Sequence, residues 1–154
     1  MPPSDTAATD PGLRLTVATA AALWALRLLT AAGLAMDAYV HADLASTYDF
    51  SGKGISQGQL FRIEAAAAAL AALLLILFGT RQLVWAYALS VAAAGVGAVL
   101  LYRYADIGVL GPLRNMYEPV WYPEKSLSAL AEGAATLLAA CGLLLAHRQR
   151  RSKP

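Results

Sequence analysis

Apolar residues dominate four long stretches of this chain, and polar residues gather in the segments between them. A helix must be about 20 largely apolar residues long to cross the roughly 30 Å hydrocarbon layer of a bilayer, because it rises only about 1.5 Å per residue. We therefore predict membrane-spanning helices at about 15–36, 63–80, 83–102 and 126–146. The predicted fold is all-α, a polytopic membrane four-helix bundle that occupies residues 13–147.

The segments between the predicted spans differ greatly in length. Only Arg81 and Gln82 separate the second span from the third, so these helices form a tight antiparallel pair. The links 37–62 and 103–125 are long, and both lie on the same side of the membrane because successive spans alternate in direction. The sequence thus predicts two long loops on one side and both termini on the other.

Lysine and arginine residues indicate the cytoplasmic side, because cytoplasmic segments carry an excess of them. The two sides hold similar numbers, but many acidic residues accompany the cations on the loop side, whereas the basic tail 148–154 has none. We predict a multi-pass plasma-membrane protein with both termini in the cytoplasm and both long loops outside. The leader 1–12 is rich in proline, alanine, threonine and aspartate and is predicted to be disordered.

The composition supports membrane insertion and excludes several functional classes. Hydrophobic residues make up 58% of the chain and charged residues 14%, whereas soluble domains average about 45–50% and about 25%. The net charge of +2, without a basic patch interleaved with aromatics, argues against nucleic-acid binding. Cys141 is the only cysteine, which excludes a disulfide framework. The sequence carries no nucleotide-binding or hydrolase motif and favours a non-enzymatic role.

Polar residues follow one face of the first predicted helix and continue past its apolar segment. At steps of three and four residues, this face runs through Arg27, Thr30, Leu34, Asp37, His41, Leu44 and Tyr48. The helix is therefore expected to continue beyond Met36, and Asp37 can contact His41 one turn later. Asp43 and Asp49 lie off this face and are expected in water.

Arg27 lies near the middle of its span, where a cation costs about 2.5–3.5 kcal/mol on insertion scales. It should face the bundle and find a partner, either Glu132 in the fourth span or Glu64 at the start of the second. Two compatible interpretations are open. In one, Arg27 and a glutamate form a clasp that fixes helix register. In the other, a polar pocket opens outward and is lined by Arg27, Asp37, His41, Glu64 and Glu132.

The loop 106–125 is rich in glycine, proline and aromatic residues and is expected to fold back over the bundle. Tyr117, Trp121 and Tyr122 would then form a lid over the polar pocket or, alternatively, part of a packed structural cap.

Asp37, His41 and Glu64 offer a set of carboxylate and imidazole ligands suited to a divalent metal. His41 is the only histidine on the predicted loop side, and a lone histidine is more often a hydrogen-bonded structural residue. We therefore predict no bound metal. A bis-histidine haem is excluded because His147 lies at the opposite end.

Two segments resemble DoxX-like bacterial membrane proteins. In LRLLTAAGLAMDAYVHADLA, residues 26–45, Arg27 and Gly33 match an arginine and a glycine of that family's first span. In GQLFRIEAAAAALAALLLILFGTR, residues 58–81, Glu64 stands at the acidic position of its second span. The resemblance implies a four-helix membrane protein. The alanine-rich sequence is typical of high-GC bacteria and points to an actinobacterium.

Some DoxX-like proteins are membrane partners of oxidoreductases, including a small subunit linked to thiosulfate:quinone oxidation. The resemblance therefore implies contact with quinone or docking to a redox enzyme. The loop 106–125 departs from the family pattern.

The sequence favours a non-enzymatic integral membrane protein that binds a small apolar or amphipathic ligand, or a membrane partner, near the outer leaflet. An alternative is an oxidoreductase-associated subunit that contacts quinone, with Asp37 and His41 exchanging protons, since histidine titrates near neutral pH. A third alternative is a small transporter, but the small-residue packing and the lack of an internal repeat argue against it. Apart from quinone, no cofactor is predicted.

Overall fold

Four helices build the protein, and the all-α prediction is confirmed. The computed structural model describes residues 11–49 and 54–151. The helices are α1 (Pro11–Leu44), α2 (Gln57–Phe78), α3 (Gln82–Tyr104) and α4 (Pro123–Arg151). Each contains a segment long and apolar enough to cross a bilayer. The chain is therefore an integral membrane protein with four helices in antiparallel succession.

The predicted disordered leader lies outside the described residues except for its last two positions, which open α1. The helix continues past Met36 to Leu44, as its polar face predicts. The basic tail is described only as far as Arg151, and residues through this position belong to α4.

Side-chain hydrogen bonds fix the start of α2. Ser56 precedes its first residue, and the Ser56 Oγ accepts a hydrogen bond from the Gln59 amide at 3.0 Å. The Gln59 side chain in turn accepts one from the Ser56 amide at 2.9 Å. This reciprocal pair satisfies two amides that helix geometry leaves without partners. The helix therefore begins well before the apolar segment predicted as a span.

Small residues allow the helices to approach closely. Ala68, Ala71, Ala88, Ala135 and Ala139 are all fully buried. In lipid no hydrophobic force brings helices together, so close backbone approach and dispersion contacts must do so. The pairs α1–α2, α3–α4 and α1–α4 pack tightly, while α2–α3 is the loosest. The cavity described below lies between these two helices.

Both long loops meet at one end of the bundle, which we call the loop end (residues 45–49, 54–56 and 105–122). The Ile55 amide donates to the Pro112 carbonyl at 2.9 Å, which joins the two loops. The Glu118 amide donates to the Tyr102 carbonyl at 3.0 Å and holds the second loop against α3. The opposite end, the turn end, contains the short turn 79–81.

A labelling experiment would test the predicted orientation. With Cys141 replaced by serine, we expect Arg114→Cys at the loop end to react with a membrane-impermeant maleimide on intact cells. Arg150→Cys should react only after permeabilisation. Both positions are exposed, so access to the side chain does not limit either reaction. The reverse pattern would place the loops in the cytoplasm.

Candidate functional site

A cavity of about 360 Å³ lies between α2 and α3 near the loop end. Its apolar wall includes Val40, Leu44, Leu60, Phe61 and Val99. Its polar wall includes His41, Glu64, Lys125 and Ser128. A wider hollow of about 610 Å³ lies on the loops around Gly111, but its polar lining residues Arg114 and Asn115 are exposed. Of these two hollows, the first borders buried ionisable side chains, His41 and Lys125.

Small residues on α3 create this cavity. Ala94, Gly95 and Ala98 face the space opposite Phe61 and Glu64, and their side chains are too short to fill it. Ala94 and Ala98 are also exposed at the surface of the bundle. The cavity therefore opens sideways between α2 and α3, within the apolar segments of these two helices.

Behind the polar wall lies a buried cluster built from two helices. Asp37 and His41 are one turn apart on α1, and Ser128 and Glu132 are one turn apart on α4. The His41 Nδ1 lies 2.8 Å from the Asp37 Oδ1, which confirms the predicted contact. The Ser128 Oγ lies 2.9 Å from that oxygen and 3.2 Å from the Glu132 Oε1. We call these four residues the acidic cluster.

The acidic cluster is short of positive charge and of donors. Asp37 and Glu132 are fully buried, with 0% of each residue exposed. The Ser128 hydroxyl has one proton to share between two carboxyl groups. Among the described residues, the Asp37 Oδ2 and the Glu132 Oε2 have no hydrogen-bond partner. Burying carboxylates without a counter-charge is costly, so the cluster favours a bound proton or cation.

Glu64 adds a third carboxyl group at the cavity wall. Its Oε1 is buried and has no hydrogen-bond partner within the described ranges. Phe61, one turn earlier on α2, touches the His41 ring edge-on, with ring centroids 5.0 Å apart. This contact holds the imidazole between the cavity and Asp37. Within the part of the chain that the structure describes, no lysine or arginine forms an ion pair with Glu64, Asp37 or Glu132.

Arg27 does not belong to this site, and the predicted ion pair with Glu132 or Glu64 is wrong. Its Nε donates to the Leu75 carbonyl at 3.1 Å and its Nη2 to the Ile76 carbonyl at 2.8 Å. Both carbonyls belong to the last turn of α2, where helix geometry leaves such oxygens unpaired. Arg27 and Asp37 share a helix face, but ten residues separate them by about 15 Å along the axis.

Trp24 and Gly79 complete the surroundings of Arg27. The guanidinium lies 4.0 Å from the centre of the Trp24 ring. A Cβ at Gly79 would collide with the Arg27 side chain, so the glycine makes this approach possible. Arg27 therefore caps α2 at the turn end instead of lining the cavity.

The predicted lid is only partly formed by the residues proposed for it. Tyr117 and Trp121 are each 40% exposed and do not line the cavity. Tyr122 does line it, and its hydroxyl lies 2.9 Å from that of Tyr48. The Tyr48 hydroxyl also donates to the Glu118 Oε2 at 3.1 Å. Burial, followed by these two hydrogen bonds, raises the pKa of Tyr48, which keeps the phenol protonated at neutral pH.

The acids predicted to lie in water are exposed. Asp43 is exposed on α1. Asp49 is also exposed but pairs with Arg62 through both carboxylate oxygens and accepts a hydrogen bond from Ser56. The Arg62 guanidinium lowers the pKa of the Asp49 carboxyl. This pair ties the first loop to the start of α2.

Compared with known proteins, the chain matches no family model, no curated protein and no solved structure. No family is identified. The resemblance to DoxX-like proteins and the actinobacterial origin therefore stay predictions.

Proposed function

We propose that this integral membrane protein binds a small amphipathic ligand in the cavity between α2 and α3. The observation that carries the proposal is the shape and polarity of the cavity. Its walls are largely apolar, and the polar groups on them include His41, Glu64 and Ser128, where the acidic cluster meets the cavity. A ligand would place its apolar part between α2 and α3 and its polar end against these three residues. The proposed role is binding, without chemical conversion.

The size and the opening of the cavity support this proposal. Ligand pockets in proteins measure about 300–1,000 Å³, so a volume of about 360 Å³ suits a small molecule. Exposed Ala94 and Ala98 mark the opening, and Ile63 on the facing helix is 63% exposed. A ligand dissolved in the hydrocarbon of the bilayer can enter between these residues without crossing the loops.

The polar wall favours a ligand that donates hydrogen bonds or carries positive charge. The Glu64 Oε1 lacks a hydrogen-bond partner in the described part of the chain. The Lys125 ammonium, the one cation on the cavity wall among the described residues, donates to the Glu118 carbonyl at 2.5 Å. The Glu64 oxygen is therefore an available acceptor, and the Lys125 ammonium keeps two further N–H donors. An amine or hydroxyl can donate a hydrogen bond to the Glu64 oxygen, whereas a quinone cannot, because its two oxygens only accept hydrogen bonds.

Filling the cavity should displace the ligand. Ala98→Phe places an aromatic ring in the space opposite Phe61, whereas Ala93→Phe adds the same ring at an exposed position of α3 that does not line the cavity. Each variant is purified in mild detergent, extracted with organic solvent and examined by mass spectrometry. We expect one lipophilic species near equimolar amounts in the wild type and Ala93→Phe, and at least about a tenfold lower amount in Ala98→Phe.

Equal retention by both variants would show that the extracted molecule binds elsewhere. Absence of any species from the wild type would contradict the proposal as well. If the displaced species is a quinone, the result supports the alternative, a subunit that contacts quinone, and contradicts binding of an amphipathic hydrogen-bond donor.

A further inference from the structure

We propose that Asp37, His41 and Glu132 bind one divalent transition-metal ion at the inner end of the cavity. One ligand atom from each residue lies within 4.8 Å of those from the other two. All three residues are buried, with 0%, 8% and 0% of their surface exposed. The proposal goes beyond binding of an amphipathic ligand, because the ion would lie behind the cavity wall. It also differs from the set considered from sequence, since Glu132 replaces Glu64.

Unpaired carboxyl oxygens favour binding of a cation. The Asp37 Oδ2 and the Glu132 Oε2 are buried and have no hydrogen-bond partner among the described residues. Ser128 brings the two carboxyl groups together by contacting one oxygen of each. Like charges held this close repel one another, and a protein interior screens the repulsion poorly. An ion between the carboxylates would turn that repulsion into attraction.

The donor set indicates which ions fit. Two carboxylates balance the charge of a divalent ion, and a neutral imidazole adds none. Mixed nitrogen and oxygen ligands suit Zn²⁺, Mn²⁺ or Fe²⁺, whereas Mg²⁺ and Ca²⁺ prefer oxygen alone. Ligands on opposite sides of such an ion are at most about 4.2 Å apart, given bonds of about 2.1 Å. The three ligand atoms, which lie within 4.8 Å of one another, are therefore close to the spacing that a single ion requires.

The surroundings accommodate the Glu132 side chain and leave one side of the ion open to a further ligand. The Glu132 carboxyl group lies against Gly95 of α3, where an added Cβ would be only 2.6 Å from the Oε1. Glycine at this position allows the glutamate to extend between α3 and α4. His41 and Ser128 also line the cavity, so one side of the ion would face it. Water or the polar end of a bound molecule could complete the coordination there.

Metal titration of the purified full-length chain tests this inference. After treatment with EDTA and removal of the chelator, Zn²⁺ binding is measured by calorimetry and Co²⁺ binding by visible absorption. We expect one ion per chain and Co²⁺ bands typical of nitrogen and oxygen ligands. Asp37→Asn and Glu132→Gln keep the side-chain shapes and should weaken Zn²⁺ binding by more than about 100-fold, because losing a residue that only hydrogen-bonds a metal ligand already costs about 10–100-fold.

Glu64→Gln is the matched control, since Glu64 is a neighbouring carboxylate on the cavity wall outside the proposed ligand set. Among the described residues Glu64 makes no hydrogen bond to the three proposed ligands, so this variant should weaken binding by less than about tenfold, below the cost of losing a hydrogen-bonded partner. Ala98→Phe should retain the ion even if it loses the amphipathic ligand, which separates the two proposals. The inference is overturned if the wild type binds no Zn²⁺ or Co²⁺ at millimolar concentration. It also fails if Asp37→Asn and Glu132→Gln bind Zn²⁺ as tightly as the wild type. If a variant fails to fold, the titration of the wild type alone tests whether the metal site exists.

Discussion

Arg27→Met should destabilise the detergent-solubilised protein by about 2–4 kcal/mol. Two hydrogen bonds from a charged donor contribute about 1.5–3 kcal/mol each, and removing a buried cation offsets part of their loss. The substitution leaves the carbonyls of Leu75 and Ile76 without the donors that cap α2. Methionine has an apolar stem of similar length, so the loss of stability measures mainly the contribution of the guanidinium group. Unfolding by heat or by SDS titration, followed by circular dichroism, measures the change.

Arg62→Met is the control, because Arg62 also pairs with partners from another segment but is exposed. Its unfolding midpoint should stay close to that of the wild type, since exposed ion pairs contribute little. The charge-swapped pair Arg27→Glu with Glu132→Arg separates the cap from the predicted clasp. We expect no recovery over the single variants. Recovery would reveal an ion pair that the structure lacks.

The face of α1 could be predicted from sequence, but the depth of its residues could not. Spacing at three and four residues correctly placed Arg27, Asp37 and His41 on the buried side. It carried no information about which part of a neighbouring helix lies beside each one. Arg27 met the end of α2, whose position depends on the short turn after Phe78. A residue's angle around a helix is a local property, whereas its partners depend on how the helices are joined.

The same limit applies to the candidate site. Asp37 and His41 were paired correctly because they lie on one helix, one turn apart. Glu132 and Ser128 have the same spacing on α4, and this signal could have identified Ser128 as part of the cluster. The predicted polar pocket placed Glu132 with Asp37 and His41, but the sequence pattern did not show that Ser128 bridges the two pairs. That juxtaposition depends on the packing of α1 against α4.

A polar pocket that includes His41 and Glu64 was predicted, but the space beside the small residues of α3 was not. Small residues were expected to bring the helices together, as they do on most faces of this bundle. At Ala94 and Ala98 the small side chains leave space for the cavity instead. Small residues permit close approach of two helices but do not enforce it.

Trp85 has the largest fully buried side chain among the described residues and lies at the turn end. Its indole Nε1 donates to the Gly79 carbonyl at 2.7 Å, and its six-membered ring occupies the place of a side chain at Gly142. The tryptophan on α3 and the glycine on α4 therefore form one packing unit. Its energy comes from dispersion contacts and a buried hydrogen bond, because lipid provides no hydrophobic drive between helices.

Trp85→Ala should cost about 3–5 kcal/mol, and Gly142→Ala about 1–3 kcal/mol because the added methyl group meets the indole ring. Gly133→Ala is the matched control on the same helix, since nothing lies within 4 Å of a Cβ added there. It should be neutral or slightly stabilising, as alanine favours helices. With Trp85→Leu in the background, Gly142→Ala should lose most of its effect, because leucine lacks the atoms that collide. SDS unfolding of the single and double variants measures this coupling, and strictly additive losses would show that Trp85 and Gly142 do not pack together.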